Sequence, residues 1–267
     1  VQSCVGYAGL WLALALGGGL WSAAATTTAA AAGSAWWLHA RGHALRDLAA
    51  RDPATAHAVV WRRDVLPLQW RIAVSWMSGY FIFNLFTPLV FMHQGPVEAG
   101  RLGLALSAFN AVSTIGMSWV NAKAPQFTMH IARGERGELN ALFRHVIVRS
   151  TLATACLCAA VVLAAAVLAR LGVPAMSRIA PVPVLACLAV VTVMNCIVFG
   201  SAAFMRAHRE EPMLPVSVVT GALTAGVAFL GSRAGLLPMV AAYALVTGLV
   251  SLPWTLALRL RYARRTA

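Results

Sequence analysis

The chain contains apolar runs that are long enough to cross a lipid bilayer, and these runs restrict its fold more than any other feature. A helix of roughly 20 apolar residues crosses the hydrocarbon core of a membrane. Six runs of about this length follow one another in the later part of the chain, at about 70–92, 101–122, 147–171, 181–205, 213–232 and 235–258. The sequence therefore predicts an all-α fold, a bundle of transmembrane helices.

The first apolar run, residues 4–38, is too long for a single span. The glycines from Gly17 to Gly19 stand in its middle, and we place the turn between two spans there. The alanine-rich patches of this run are also typical of a low-complexity linker. The neighbouring Trp21 and Trp36 favour membrane helices, because tryptophan concentrates at membrane interfaces. The prediction for the chain is about eight spans in total.

The charge of the chain is strongly positive, at +13, but only 11% of its residues are charged, against about a quarter in soluble domains. The basic residues stand in clusters between the apolar runs, which is the pattern of membrane-protein loops. This arrangement argues against a soluble domain and against a surface that binds nucleic acid. We expect membrane lipids as partners, and no nucleic acid.

Basic residues also predict which loops face the cytoplasm, because Lys and Arg resist translocation across the membrane. Loops rich in basic residues alternate with loops that hold only four of the 21: Arg101, Arg170, Arg178 and Arg233. If residues 1–38 form two helices, both ends of the chain are cytoplasmic. The chain is therefore expected to cross its membrane several times, with its C-terminus in the cytoplasm.

This pattern divides the chain into four parts. Residues 1–38 form two transmembrane helices, 39–69 a basic cytoplasmic linker, 70–258 a six-helix lobe and 259–267 a basic cytoplasmic tail. A second long cytoplasmic loop, at about 123–146, mixes apolar and charged residues. It predicts either an amphipathic helix in the headgroup layer or a solvated helix without function.

Groups that carry catalysis are scarce in this sequence. All seven histidines fall in predicted loops without paired metal-ligand spacing, and the five cysteines stand in apolar stretches without a CxxC pair. No predicted span contains Asp or Glu for proton or sodium coupling, and there is neither a phosphate-binding loop nor a nucleophile elbow. The sequence therefore predicts no enzyme activity, no cofactor and no metal site.

The clearest functional signal is a polar face on the predicted 101–122 helix. Its members recur in steps of three and four residues, so they share one side of the helix: Ser107, Asn110, Thr114, Ser118 and Asn121. An amide without a partner is costly in lipid. We expect this polar face either to pack against other helices, as Ser, Thr and Asn often do, or to line a water-filled cavity.

The preceding span and the end of the 101–122 helix add five polar candidates. Four are expected near the cytoplasm, Arg71, Ser75, Ser78 and Lys123, and Asn84 is expected deeper in the span. Pro88 is expected to bend the preceding span, because proline interrupts the helical hydrogen bonds. Arg71 and Lys123 either anchor their helices or bind an anionic headgroup or pyrophosphate. All these residues are candidate substrate-binding side chains that line a cavity.

Several short segments carry a resemblance to a known family. They are Pro67–Arg71, Gly79–Phe81, Thr87–Pro88, Gly95–Gly103, Ser118–Val120, Ala124–Phe127 and Ala132–Glu135. Over about residues 60–150 the chain resembles the polysaccharide-biosynthesis membrane proteins of the multidrug/oligosaccharidyl-lipid/polysaccharide exporter superfamily, which includes the O-antigen flippases. Its most specific parts are the turn Gly95–Gly103 entering a helix, the exit from that helix at Pro125 and Phe127, and the amphipathic helix that follows.

The resemblance implies twelve helices in two six-helix lobes, joined by a cytoplasmic linker between helices six and seven. This chain looks like helices five to twelve of that plan, without the first four. It implies a flippase of the bacterial inner membrane. Such a protein moves a polyprenyl-pyrophosphate-linked oligosaccharide across that membrane by alternating access, for lipopolysaccharide or other surface polysaccharide. The implied partners are the lipid-linked oligosaccharide and membrane proteins of polysaccharide assembly.

Two other functions stay open. The first is a drug or metabolite antiporter of the same superfamily, which a coupling carboxylate in the missing helices would favour. The second is a membrane protein that transports nothing, either a truncated remnant or a scaffold for glycan-synthesis enzymes.

Overall fold

The computed structural model describes residues 2–19, 21–50, 61–174, 178–208 and 211–265, which form helices joined by short turns, with no strand in these ranges. This confirms the prediction of an all-α fold. The chain forms two compact units, residues 1–60 and residues 61–267. The division between them falls within the segment predicted as a linker.

The first unit is a pair of helices, α1 (Gln2–Ala15) and α2 (Trp21–Ala50), which pack against each other. The turn between them contains Gly17 and Gly19, both with positive φ angles that glycine adopts without strain. The predicted division of the first apolar run at its glycines is therefore confirmed. Residues 39–50 of the predicted linker continue α2, and 51–60 lie outside the described residues.

Small residues bring α1 and α2 close together. A Cβ atom added to Gly9 would lie 2.6 Å from the Cβ of Ala29, and one added to Gly6 would lie 3.3 Å from the Cβ of Ala30. Such contacts between small residues are typical of helix pairs in membranes, where close van der Waals packing holds helices together. The alanine-rich patches therefore build a helix interface in this unit, which is why they need not indicate a linker.

The second unit opens with a π-helical turn, Trp61–Val65, and continues as a series of helices. They are α3 (Leu66–Asn84), α4 (Phe86–Gln94), α5 (Pro96–Arg133), α6 (Arg136–Arg170), α7 (Val182–Arg206), α8 (Leu214–Gly231), α9 (Leu236–Val246) and α10 (Leu252–Arg265). A π-helical turn, Thr247–Ser251, joins α9 to α10.

Five helical segments in the described part of the chain are long and apolar enough to cross a membrane. They are α5, α6, α7, α8 and the continuous helix Leu236–Tyr262, which contains α9 and most of α10. The prediction of a membrane protein with transmembrane helices is thereby confirmed. The total of about eight spans, the cytoplasmic location of both ends and the bacterial inner membrane stay predictions.

The span predicted at 70–92 is interrupted at Leu85, where α3 ends and α4 begins. Pro88 has no N–H group to donate to the carbonyl of Asn84, so a straight α-helix cannot run through this point. The proline itself lies in the first turn of α4, where the missing donor is tolerated. The bend expected at Pro88 thus lies three residues before it.

Helices α5 and α6 form a long hairpin, and this corrects the prediction for residues 123–146. No separate amphipathic helix lies there: α5 continues to Arg133, turns at Gly134 with a φ of 70°, and α6 begins at Arg136. Several apolar residues of this stretch are buried against other parts of the protein. Phe127 and Phe143 are buried beside Phe204 of α7, with ring centroids 4.5–6.1 Å apart.

The second unit has two buried apolar clusters. One contains Val90, Leu102 and Val240, and the other is built around the three phenylalanines of the α5–α6 hairpin and α7. Residues of both clusters line the cavity described next, so the cavity lies between the two.

Candidate functional site

A cavity of about 560 Å³ opens among α3, α5, α7, α8 and the α9–α10 helix of the second unit. On α7 its wall runs from Asn195 to Arg206, and on α8 from Met213 to Thr220. These segments adjoin the connection between α7 and α8. The cavity therefore occupies the half of the bundle that the charge pattern predicts to be cytoplasmic.

The wall of the cavity is mainly apolar and carries a few polar groups. Trp76 and Phe199 line it while remaining 67% and 38% exposed, so the cavity opens to the molecular surface. The hydroxyls of Ser75 and Ser217 lie 2.9 Å apart in a hydrogen bond between α3 and α8. A mixed wall of this kind suits a ligand that has both polar and apolar parts.

Two amides and a phenol contribute further polar atoms. Asn195 Nδ2 on α7 donates a hydrogen bond of 3.1 Å to the hydroxyl of Tyr243 on α9. Asn121 on α5 lines the same cavity and is exposed. Pro125 has no N–H group for the main-chain carbonyl of Asn121, so that carbonyl has no α-helical donor.

The hydroxyl of Thr220 is buried in the cavity wall, and the described residues provide no hydrogen-bond partner for it. The residue as a whole is 5% exposed. Buried polar groups nearly always have a partner in folded proteins. This hydroxyl is therefore placed to bind a ligand or a water molecule inside the cavity.

Arg206 lines the cavity at the end of α7 and is paired with Glu211. Its Nε donates to Oε2 of Glu211 at 2.6 Å and its Nη2 donates to Oε1 at 3.0 Å. The side chain of Glu211 is 0% exposed, whereas that of Arg206 is 31% exposed. The structure thus places a fully buried carboxylate beside the cavity, held by a guanidinium that the cavity can reach.

The π-helical turn Thr247–Ser251 shapes the wall opposite α7. Pro253 has no N–H group and its ring would crowd the carbonyl of Leu249, so a regular α-helix is interrupted at this point. Two hydroxyls bond carbonyls on either side of this point: Thr247 donates to the carbonyl of Tyr243 at 2.9 Å, and Thr255 to that of Ser251 at 2.7 Å. Thr247 and Ser251 both line the cavity. Such π-helical turns are frequent at functional sites.

Two of the ten candidate residues from the sequence, Ser75 and Asn121, meet in this cavity. Ser78 lies between α3 and α8, close to Gly221, and donates to the carbonyl of Val74. Asn84 is exposed and donates to the carbonyl of Tyr80. Arg71 and Lys123, the two basic candidates, are not among the residues of the cavity wall.

The polar face of α5 is exposed along its whole length. Ser107, Thr114 and Ser118 donate to carbonyls of their own helix. Asn110 has no side-chain partner among the described residues. Within that part of the chain, the polar face therefore does not hold α5 to another helix, and the binding of substrate by this face stays a prediction.

The sequence pattern missed several polar residues of the cavity. They are Asn195, Arg206, Glu211, Ser217, Thr220 and Tyr243. Asn195 could have been found, because an amide within an apolar span is itself a signal of function. Nothing near Glu211 in the sequence indicates that it is buried, since it stands in a short polar connection between two spans.

The expected loop position of the histidines needs correction. His93, His130 and His145 lie in α4, α5 and α6. At the α5–α6 turn, His130 Nδ1 is 2.8 Å from Oε2 of Glu135 and 3.7 Å from a carboxylate oxygen of Glu138. These groups are close enough to hold a metal ion, but the hydrogen bond to Glu135 accounts for the geometry by itself.

Comparison with protein-family models, with curated proteins and with solved structures finds no match for this chain. The resemblance to the exporter superfamily stays a prediction from the sequence. The function is therefore argued from the cavity.

Proposed function

We propose that the protein moves a lipid-linked oligosaccharide, carried on polyprenyl pyrophosphate, across the inner membrane of a bacterium for surface polysaccharide biosynthesis. The observation that carries this proposal is the open cavity of about 560 Å³ with a mixed polar and apolar wall, set among helices that are long enough to span a membrane. An amphipathic substrate needs both kinds of surface. Its sugar would occupy the cavity while its polyprenyl chain stays in lipid.

The polar groups of the cavity suit a sugar. Asn121, Asn195 and Ser75 offer amide and hydroxyl groups that donate and accept hydrogen bonds, as sugar hydroxyls do. Trp76 and Phe199 offer aromatic faces at the opening, against which the apolar face of a sugar ring packs. Few charges lie in the wall, so neutral hydroxyl groups would be bound mainly by hydrogen bonds.

The exposed polar face of α5 supports the same proposal. A row of polar side chains on a transmembrane helix is costly against lipid, so it is expected to face protein or water. In a two-lobe exporter this face would line the passage between the lobes, and both lobes would move about it to expose the passage to each side in turn.

A drug or metabolite antiporter is the second candidate, and one observation favours it. Glu211 is a buried carboxylate next to the cavity, and such groups serve as coupling sites in ion-driven transporters. The sequence suggested that no such group was present, because Glu211 stands between two predicted spans. Its pairing with Arg206 allows substrate binding and ion binding to affect each other.

The test is a transport assay with the full chain in proteoliposomes. A fluorescent undecaprenyl-pyrophosphate oligosaccharide is loaded, and its movement between leaflets is measured by quenching. Movement above that of empty vesicles is expected, and Asn195→Leu should lower it by about fivefold, the effect of losing a hydrogen bond of about 1 kcal/mol. Val190→Leu, on the exposed side of the same helix, is the matched control.

The outcomes separate the three functions. Movement of the lipid-linked sugar that depends on Asn195 supports a flippase. Uptake of small organic cations driven by a proton or sodium gradient, without movement of the lipid-linked sugar, supports an antiporter. If neither occurs and the gene does not restore surface polysaccharide in a deletion strain, the protein is a scaffold or a remnant.

A further inference from the structure

We propose that Arg206 binds the phosphate group of a ligand in the cavity and that Glu211 is its exchangeable counter-ion. The ligand phosphate would take the place of the Glu211 carboxylate on the guanidinium of Arg206. This inference rests on the transport cavity of the proposed function and adds to it the residue that binds the phosphate group and the counter-ion that the phosphate displaces.

Arg206 has the geometry of an anion-binding residue. It is the cationic member of the cavity wall among the described residues, and its side chain is partly exposed. A guanidinium has five N–H groups, and Glu211 takes two of them. A fork of two N–H groups fits a carboxylate and a phosphate equally well. The present partner of Arg206 is therefore one that a phosphate can replace.

Glu211 has the properties of a counter-ion that can leave. The Glu211 side chain is fully buried, so its carboxylate is held out of water by its bonds to Arg206 and would regain hydration if a phosphate took its place. Glu211 lies in the connection between α7 and α8, outside both helices, so its side chain can turn without breaking a helical hydrogen bond. Membrane topology does not account for the burial of Glu211, because topology depends on the basic residues.

Thr220 provides an independent indication that a polar ligand binds in this cavity. Other threonines of the bundle, such as Thr192 and Thr247, donate to the carbonyl four residues before them. The Thr220 hydroxyl makes no such bond. The buried hydroxyls of Ser201 and Thr224 also lack a partner among the described residues, but of the three only Thr220 lines the cavity. A phosphate oxygen in the cavity would give this hydroxyl an acceptor, which the described residues do not provide.

The ligand chemistry is a phosphate or pyrophosphate group, which either a lipid headgroup or a soluble metabolite can supply. The apolar wall formed by Val198, Phe199 and Trp76 favours a ligand that also has an apolar part. Three probes distinguish these sources. Farnesyl pyrophosphate has the anion and a short isoprenoid, inorganic pyrophosphate has the anion alone, and farnesol has the isoprenoid alone.

The test measures binding of each probe to the purified full chain in a neutral detergent by isothermal titration calorimetry. Glu211→Gln should bind farnesyl pyrophosphate about fivefold more tightly than the unchanged chain, because the amide competes less well for Arg206. Arg206→Gln should bind it about tenfold more weakly, since it loses charge-assisted hydrogen bonds. Arg149→Gln, which removes an exposed arginine of α6 outside the cavity wall, is the matched control and should change nothing.

The proposal requires that the two substitutions change the affinity for farnesyl pyrophosphate in opposite directions. If the pair only fastens the α7–α8 connection, both variants lose thermal stability, neither binds the probes more tightly, and the proposal is overturned. Should Arg206→Gln fail to fold, Arg206→Lys keeps the charge without the fork and is expected to bind with intermediate affinity. Equal binding of farnesol and farnesyl pyrophosphate also overturns the proposal.

Equal binding of inorganic pyrophosphate and farnesyl pyrophosphate supports the anion site and assigns it to a soluble ligand. The transport result is separate from these. A chain that moves no lipid-linked sugar but shows opposite effects of Glu211→Gln and Arg206→Gln would disprove the proposed function and leave the anion site standing.

Discussion

Individual polar side chains in this protein have two different environments. Asn195 and Tyr243, which bond each other in the cavity, are partners across two helices. Asn110, on the polar face of α5, has no side-chain partner in the part of the chain that the structure describes. In a membrane, an unpartnered amide such as that of Asn110 is costly against lipid, so it is expected to face protein or water.

Asn110→Leu is expected to lower export by about fivefold while leaving membrane insertion intact, because it removes hydrogen bonds of about 1 kcal/mol along the substrate path. Export is measured as surface polysaccharide in a deletion strain, and insertion by the amount of protein in washed membranes. Ala108→Leu adds a similar side chain to another exposed position of α5 and is the control. Normal export by Asn110→Leu would show that the polar face of α5 takes no part in transport.

Gly116→Ala is expected to destabilise the contact between α5 and α6. A Cβ atom at Gly116 would lie too close to Oγ1 of Thr154 for the helices to keep their spacing. Overpacking of this kind costs about 1–3 kcal/mol, and it should lower the thermal unfolding midpoint in detergent. Adding Thr154→Ala should restore part of the loss, because the clashing hydroxyl is gone.

Gly103→Ala is the control for this substitution. It changes a glycine of the same helix with nothing within 4 Å of the added Cβ, so stability should stay equal or rise slightly. A midpoint for Gly116→Ala that equals that of Gly103→Ala would contradict the close packing of α5 on α6.

The helices owe their ends and interruptions to glycine and proline. Gly95, with a φ of 88°, separates α4 from α5, and Gly134 separates α5 from α6. Pro253 stands just after the π-helical turn that places Thr247 and Ser251 in the cavity wall. Local sequence thus decides where helices turn, and through the π-helical turn it also shapes the cavity.

Gly134→Ala is expected to lower stability by about 1 kcal/mol, because a residue with a Cβ is strained at a φ of 70°. Gly137→Ala, three residues further on in exposed helix, is the matched control and should stabilise slightly, since alanine is the better helix former. Thermal unfolding of both variants in one detergent measures the difference. Equal loss of stability in the two variants would show that Gly134 is not needed for the turn.

For the molecule in its membrane, the loop charges predict a sidedness that can be measured. The turn around Gly95 should be external and the tip of the α5–α6 hairpin cytoplasmic. Val97 and Gly137 are exposed, so a cysteine placed at either can be labelled. A membrane-impermeant maleimide applied to intact cells should label Val97→Cys and not Gly137→Cys, with the unchanged chain setting the background.

Labelling of both sites after the membrane is opened shows that each cysteine is reactive. Labelling of Gly137→Cys in intact cells would show that the orientation is the reverse of the predicted one. The cavity would then open to the outside of the cell, and a ligand phosphate would reach Arg206 from that side.

The all-α fold, the apolar segments that form the long helices of the second unit and the turn at Gly17 to Gly19 could be predicted from the sequence, because apolar length and helix-breaking residues act locally. The α5–α6 hairpin was missed, since its apolar residues pack on α7, which is distant in the chain. Burial of Glu211 and the bond from Asn195 to Tyr243 depend on how separate helices rotate against one another. Helix rotation is decided by packing across the bundle, so the site emerges only in the folded molecule.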